Sequence, residues 1–241
     1  MTIFMLTVRQ SMSGKRWLVL CALALLPLLL SIFDRTAGAR ESTYLADGFP
    51  DIVIAAIVPI IALLLAGSVF ASDMEEGTAV FVLAKPISRT RILLERFAAA
   101  ATLASLLTMA AALLSIIVQS GRAANLMSFL IASEVAILIG AVVYSALFLA
   151  LSLITRRGII IGLLYILLWE TTLAGNFPGT RALSIKEYML TLAGALDKSG
   201  LSQQATSVTV SNALLMSGLI LTLAIVLAGR KLRNYEVAEQ G

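Results

Sequence analysis

The densest group of charged and hydroxyl side chains is the run Ser72-Asp73-Met74-Glu75-Glu76-Gly77-Thr78, followed after a short apolar patch by Lys85-Pro86-Ile87-Ser88-Arg89. Catalysis is not the chemistry these residues offer. The chain has no histidine, so the commonest general base and transition-metal ligand is missing. Its one cysteine, Cys21, sits in an apolar run with no partner for an intrachain disulfide. An enzyme would need a nucleophile beside a base, or paired metal-binding carboxylates, and the acids within apolar stretches, Glu134 and Glu170, form no such pair. No Gly-x-x-x-x-Gly-Lys-(Ser or Thr) phosphate loop occurs, so nucleotide chemistry would have to come from another subunit. What the run does offer is helix-end chemistry. Ser72 and Glu75 have capping-box spacing, and Asp73, Glu75 and Glu76 would complement the positive end of a helix dipole. Pro86 disfavours α geometry at Lys85. A helix starting near the acids and stopping at Lys85 is expected, too short to span a bilayer, with Ser88 capping the helix that follows.

The elements that must hold this run are membrane helices. Of 241 residues, 59% are hydrophobic and 13% charged, and the mean hydropathy is +0.96; a soluble domain of this balance would be coated in apolar surface. A hydrocarbon core of ~30 Å needs about 20 apolar residues. Six runs approach that length, over residues 17–33, 52–70, 92–118, 132–154, 159–173 and 208–227. Their length identifies them as helices, because membrane strands need only about 9 to 11 residues and alternate polar with apolar. Ala37-Gly38-Ala39 after the first run resembles a signal-peptidase site, but the run is longer than an ordinary leader core and five more follow, so it is read as an uncleaved span. The expected fold is all-α, a single polytopic membrane domain over residues 1–241 with six transmembrane helices and no separate catalytic domain.

Lys and Arg in the connections set the orientation. With the N-terminus inside, twelve of the eighteen fall on the cytoplasmic side, among them Lys15, Arg16, Lys85, Arg89, Arg91, Arg96 and Arg230. The inside then carries +6 and the outside −2, and both termini are cytoplasmic. The net charge of +4 thus reflects topology; a nucleic-acid partner would want a basic face on a soluble fold, and none is available.

Two flanking segments read as helices that do not span. Residues 2–13 mix Ile3, Phe4, Leu6 and Val8 with Arg9 and Gln10, as a helix lying in the cytoplasmic interface would. Ser184-Ile185-Lys186-Glu187 has the form of a capping box, followed by Tyr188, Met189, Leu192 and Leu196 at helical spacing. An amphipathic outer helix over 184–196 is expected, acting as a lid on the outer face or touching substrate. Glu170 lies about 16 Å up from Ile159 at ~1.5 Å per residue, just past the midplane. It reaches outer headgroup water, with Trp169 marking the interface, makes a helix-to-helix hydrogen bond, or lines a cavity between subunits. Glu134, about 31 Å back from Thr155, is expected at the solvated outer boundary. Gly158-Ile159-Ile160-Ile161-Gly162 is a GxxxG read first as packing within the subunit, and Pro27 and Pro59 as kinks within spans.

Asp73-x-Glu75-x-Gly77-Thr78, then Leu83-Ala84-Lys85-Pro86-Ile87-Ser88-Arg89, resembles the cytoplasmic loop of permease subunits of ABC-2 type transporters. There an acidic pair, Gly-Thr, a short apolar helix and Pro-(Val or Ile)-Ser-Arg occur in this order. The interfacial N-terminal helix, six spans, large last outer loop and basic tail extend the resemblance over nearly the whole chain. It implies that residues about Gly77 to Ala84 form a coupling helix seated in a groove of a separate ATP-hydrolysing subunit, which would hold ATP and Mg while this chain holds no cofactor. Asp73, Glu75, Glu76, Gly77, Thr78, Phe81, Leu83, Lys85, Pro86, Ser88 and Arg89 would make or shape that contact. It further implies a second permease subunit, identical or related, residence in the cell membrane, and export as the direction. An ABC importer permease is the nearest alternative, but its Glu-Ala-Ala-x-x-x-Gly loop is absent, since here glycine follows Glu76 directly. A membrane scaffold that uses the 73–89 loop only to recruit a cytoplasmic partner is also compatible with the sequence.

Overall fold

The computed structural model describes residues 3–12, 15–37, 44–75, 88–120, 125–155, 157–173, 178–201 and 208–234, and every regular element among them is helical. Helix α1 (Ile3–Ser11) is followed by α2 (Lys15–Thr36). Wider, π-helical turns over Tyr44–Gly48 and Pro50–Ile57 lead into α3 (Val58–Glu75). Next come α4 (Arg89–Val118) and α5 (Leu126–Ile154). Helix α6 (Gly158–Leu164) continues as π-helical turns over Tyr165–Leu173. The short α7 (Pro178–Arg181), then α8 (Ile185–Leu196) and α9 (Val210–Asn234) complete the order.

Among the described residues, five helices are long and apolar enough to cross a membrane: Arg16–Thr36, Tyr44–Val69, Arg89–Val118, Leu126–Ile154 and Val210–Leu232. The fifth apolar run of the sequence forms a shorter helix over Gly158–Thr172. The protein is therefore a multi-pass membrane protein. The segment read as the start of a crosswise helix, Ser72 to Glu75, is instead the last turn of α3. No proline or glycine lies between Gly67 and Gly77, so the helix runs on through Glu75.

Helix α5 is the centre of the bundle, packed against α3, α4, α6, α8 and α9. It is apolar on every side, as a helix surrounded by neighbours should be. Helices α2 and α9 are peripheral and leave large side chains such as Leu18, Phe33 and Leu215 outward. Since lipid is as apolar as leucine, such helices associate through close packing and polar contacts. Close packing comes from small residues: buried Ala99, Ala100, Ala104, Ala111 and Ala112 line α4. A Cβ on Gly162 would stand 2.3 Å from a Leu63 methyl and 3.2 Å from Phe148, so the GxxxG glycine serves packing within the subunit. Polar contacts join α2 to α4. Ser31 Oγ donates to the Ser115 carbonyl at 2.6 Å, and Gln119 Nε2 donates to the Ser31 carbonyl at 2.9 Å and to Asp34 at 3.0 Å.

The placement of α8 departs most from the sequence reading. Met189 on its second turn fills the space a Cβ of Gly140 would need, 2.2 Å from the sulfur, and Gly140 is the middle residue of α5. At the other end of α8 the Lys198 N–H donates to Ser128 Oγ at 2.7 Å, one turn inside the start of α5. Helix α8 therefore lies antiparallel along one half of a spanning helix and begins at its mid-depth, rather than lying beyond the bundle as an outer lid. Buried Ile185, Met189, Leu192 and Ala193 supply the apolar face that permits this. Gly140→Leu should drive its new side chain into Met189 and destabilise the protein by about 1–3 kcal/mol. Thermal unfolding in detergent, followed through exposure of Cys21, should show a lowered midpoint that a second change, Met189→Ala, partly restores.

Candidate functional site

A helix that begins inside a membrane has the first four N–H groups of its backbone to satisfy without water. For α8, Glu170 supplies the acceptor. Its Oε1 receives the Ile185 N–H at 3.0 Å and its Oε2 the Lys186 N–H at 3.4 Å. Ser184, the N-cap, donates its hydroxyl to the same Oε2 and accepts the Glu187 N–H at 3.3 Å. The Tyr165 hydroxyl donates to Oε1 at 2.9 Å. The buried Tyr144 hydroxyl of α5 makes no hydrogen bond among the described residues. Glu170 is 1% exposed, so it neither reaches headgroup water nor faces an open cavity within this chain. It is a buried carboxyl group at the positive end of a helix.

Local backbone geometry makes this arrangement possible. In an α-helix the neighbours on one face are three and four residues apart, so Tyr165 and Glu170 would not meet. The π-helical turns over Tyr165–Leu173 pair groups five residues apart, and Tyr165 with Glu170 is such a pair. The capping box at Ser184 is half realised. Its serine bond forms, but Glu187 pairs with Arg181 at 4.0 Å instead of reaching back, and the Ser184 N–H goes to the Arg181 carbonyl at 3.0 Å. Lys186 Nζ reaches Asp51 at 3.3 Å. Glu134 also departs from expectation: both carboxyl oxygens are buried and without a partner among the described residues. Helix α5 continues two turns beyond it, with α8 and α9 packed alongside.

The second group of interest surrounds residues 76–87, which lie outside the described residues. The expectations for Glu76, Gly77, Thr78, Phe81, Leu83, Lys85 and Pro86 fall there. Asp73 and Glu75 are on the last turn of α3, and Ser88 occupies the N-cap of α4 through its carbonyl, which accepts the Arg91 N–H at 2.9 Å. Its side chain makes no cap bond. Arg89 donates to the Leu232 carbonyl at 2.9 Å, near the end of α9. Arg96, two turns along α4 and 2% exposed, donates to the Val69 carbonyl of α3 at 2.8 Å. Both guanidinium groups thus sit at the negative halves of neighbouring helices, where cations are favoured. Arg89 was visible in the sequence as part of a motif. Arg96 and Tyr165 had no motif to mark them, since only the packed bundle assigns them a partner.

Removing the Glu170 carboxylate should loosen α8. Glu170→Ala leaves the Ser184 and Tyr165 hydroxyls and two backbone N–H groups without their acceptor, at about 1–3 kcal/mol for each buried group left unsatisfied. Amide hydrogen exchange should accelerate along Ile185–Leu196 while α4 and α5 stay protected. Glu170→Gln, which keeps an acceptor, should have a smaller effect.

A model of one protein family, described as ABC-2 family transporter protein, matches residues 30–229. No curated protein matches the chain. The matched stretch takes in three of the five long apolar helices whole, the end of the first and most of the last, together with the helix pair joined by Glu170 and the segment between Glu75 and Arg89. This chain belongs to the ABC-2 transporter family, as a membrane permease component of an ABC transporter rather than a catalytic subunit.

Proposed function

We propose that this chain is one permease half of an ABC exporter, paired with a second permease subunit of the same or a related sequence and driven by a separate ATPase that binds ATP and Mg. Six crossings of the cell membrane, with both termini cytoplasmic, are part of this reading, the shorter Gly158–Thr172 helix being the fifth. The bias of Lys and Arg toward one set of connections supports the orientation. Residues about Gly77 to Ala84 form the coupling helix, and Asp73, Glu75, Glu76 and Arg89 flank its seat.

The observation that carries the proposal is the pair of arginine bonds at the loop-facing end of the bundle. Arg89 ties the start of α4 to the end of α9, and Arg96 ties α4 to α3. The two helices that flank residues 76–87 are thereby joined to each other and to a third. A displacement imposed on that segment by an ATPase would be shared by three spans instead of being absorbed in one. ATP hydrolysis in the partner then opens or closes the path between the two permease halves. A scaffold without transport would need only the recruiting surface, and would gain nothing from this mechanical connection.

In the complex purified with its ATPase and reconstituted in proteoliposomes, Glu75→Ala, Gly77→Val and Arg89→Ala should reduce permease-dependent MgATP hydrolysis by roughly 5- to 150-fold, the span of ordinary coupling free energies. Unchanged hydrolysis in all three would overturn the coupling role. A phosphatase active only outside the cytoplasm should be active when inserted after Ser199 and silent when fused after Gly241; the reverse pattern would overturn the orientation.

A further inference from the structure

At the end of the bundle where α2 and α6 begin and α3 nears its end, a cavity of about 180 Å³ opens among residues of α1, α2, α3 and α6. Its lining is divided by depth. Thr7, Gln10 and Ser11 of α1, Arg16 of α2 and Ser68 of α3 form the polar part. One helical turn further into the spans the walls become Leu20, Leu64 and Leu65. Val19 and Ile159 stand at the mouth, 52% and 38% exposed, on the side where the outward face of α2 continues with Leu18 at 69%. A space that is cationic and hydroxyl-lined at the membrane boundary, apolar one turn deeper and open sideways has the polarity profile of an amphiphile. Size agrees, because an apolar cavity of about 150 Å³ already accepts a molecule as large as benzene.

We infer that this cavity binds the headgroup end of an anionic glycerophospholipid, with the phosphodiester at Arg16 and the first acyl segment between Leu20 and Leu64. Arg16 has no hydrogen-bond or ion-pair partner among the described residues, and its side chain is exposed on the polar side. A guanidinium binds a phosphodiester through two parallel N–H bonds, which suits it to this role. The apolar walls favour lipid over a free phosphate, which would leave them in contact with water. The cavity is too small for a whole lipid, so the rest of each chain lies along the exposed row at Leu18 and Val19. A lipid seated here braces α1 against the end of α3 that leads into residues 76–87. This site is separate from the Glu170 cluster and does not depend on the proposed coupling.

Trp17 lies beside Arg16 and is one of only two tryptophans, so the site carries its own reporter. In the full-length Trp169→Phe chain, brominated phosphatidylglycerol should quench Trp17 at about fivefold lower mole fraction than brominated phosphatidylcholine, the preference expected from one basic side chain at a membrane surface. Arg16→Gln should abolish that preference, and Ile159→Phe, which narrows the mouth without touching any charge, should weaken quenching by both lipids. Equal quenching by the two lipids in the Trp169→Phe chain would overturn the inference. So would quenching by both lipids that survives Ile159→Phe undiminished, because ordinary surface attraction would behave in that way. Loss of the preference on adding millimolar inorganic phosphate, with ionic strength held constant, would assign the site to a free anion and overturn the lipid reading. Should Arg16→Gln fail to fold, Ile159→Phe and phosphate competition still decide the question.

Discussion

A helix that starts at the mid-depth of a membrane exposes its first backbone N–H groups where no water can meet them, and in this protein one carboxylate meets them instead. Glu170 accepts from Ile185 and Lys186 while holding the hydroxyls of Ser184 and Tyr165. A buried anion is costly unless it is fully hydrogen-bonded, and a buried helix start is costly unless it is capped. Each problem is the other's solution. The position of α8 against α5 follows, because the carboxylate fixes one end and the fit of Met189 over Gly140 fixes the register.

The same principle operates with opposite sign at the loop-facing end. Here the acceptors are the Leu232 carbonyl near the end of α9 and the Val69 carbonyl of α3, and the partners are guanidinium groups on α4. Arg89 and Arg96 tie α4 to α9 and to α3 at the end of the bundle that leads into residues 76–87. The two ends of the bundle differ in what they can do. One is a buried, self-satisfied joint, and the other is basic, partly exposed and joined to a loop that carries charge of both signs.

Packing between these points relies on size more than on apolarity, as expected where lipid competes equally well for apolar surface. Alanines along α4 and the glycines at 140 and 162 let backbones approach, and aromatic rings fill the remaining space: Tyr144 stacks on Phe148 at 5.8 Å, and Phe148 meets Tyr165 edge-on at 6.3 Å. The ring of Tyr165 belongs to this cluster while its hydroxyl belongs to Glu170, so one residue links the packed interior to the polar joint.

The sequence by itself determined that the chain is an all-helical, multi-pass membrane protein and which family it resembles, because hydrophobic length and an ordered loop motif are properties of consecutive residues. It also marked Ser184 as a helix start and the GxxxG as intrasubunit packing. It misplaced the acids at residues 73–75, since capping-box spacing occurs at a helix end as readily as at a beginning, and only the continuation of α3 distinguishes the two. It left Glu170 open among headgroup water, a pathway and a helix-to-helix hydrogen bond, and only the packed bundle brings its carboxyl group to Ser184, Ile185 and Lys186. The depth of α8, the π-helical turns that align Tyr165 with Glu170 and the partners of Arg96 were decided by tertiary structure alone. The physical reason is that a uniformly apolar span carries no periodic signal of which face meets which neighbour, whereas a buried polar group has one arrangement in which its hydrogen bonds are satisfied, and that arrangement exists only in the packed bundle.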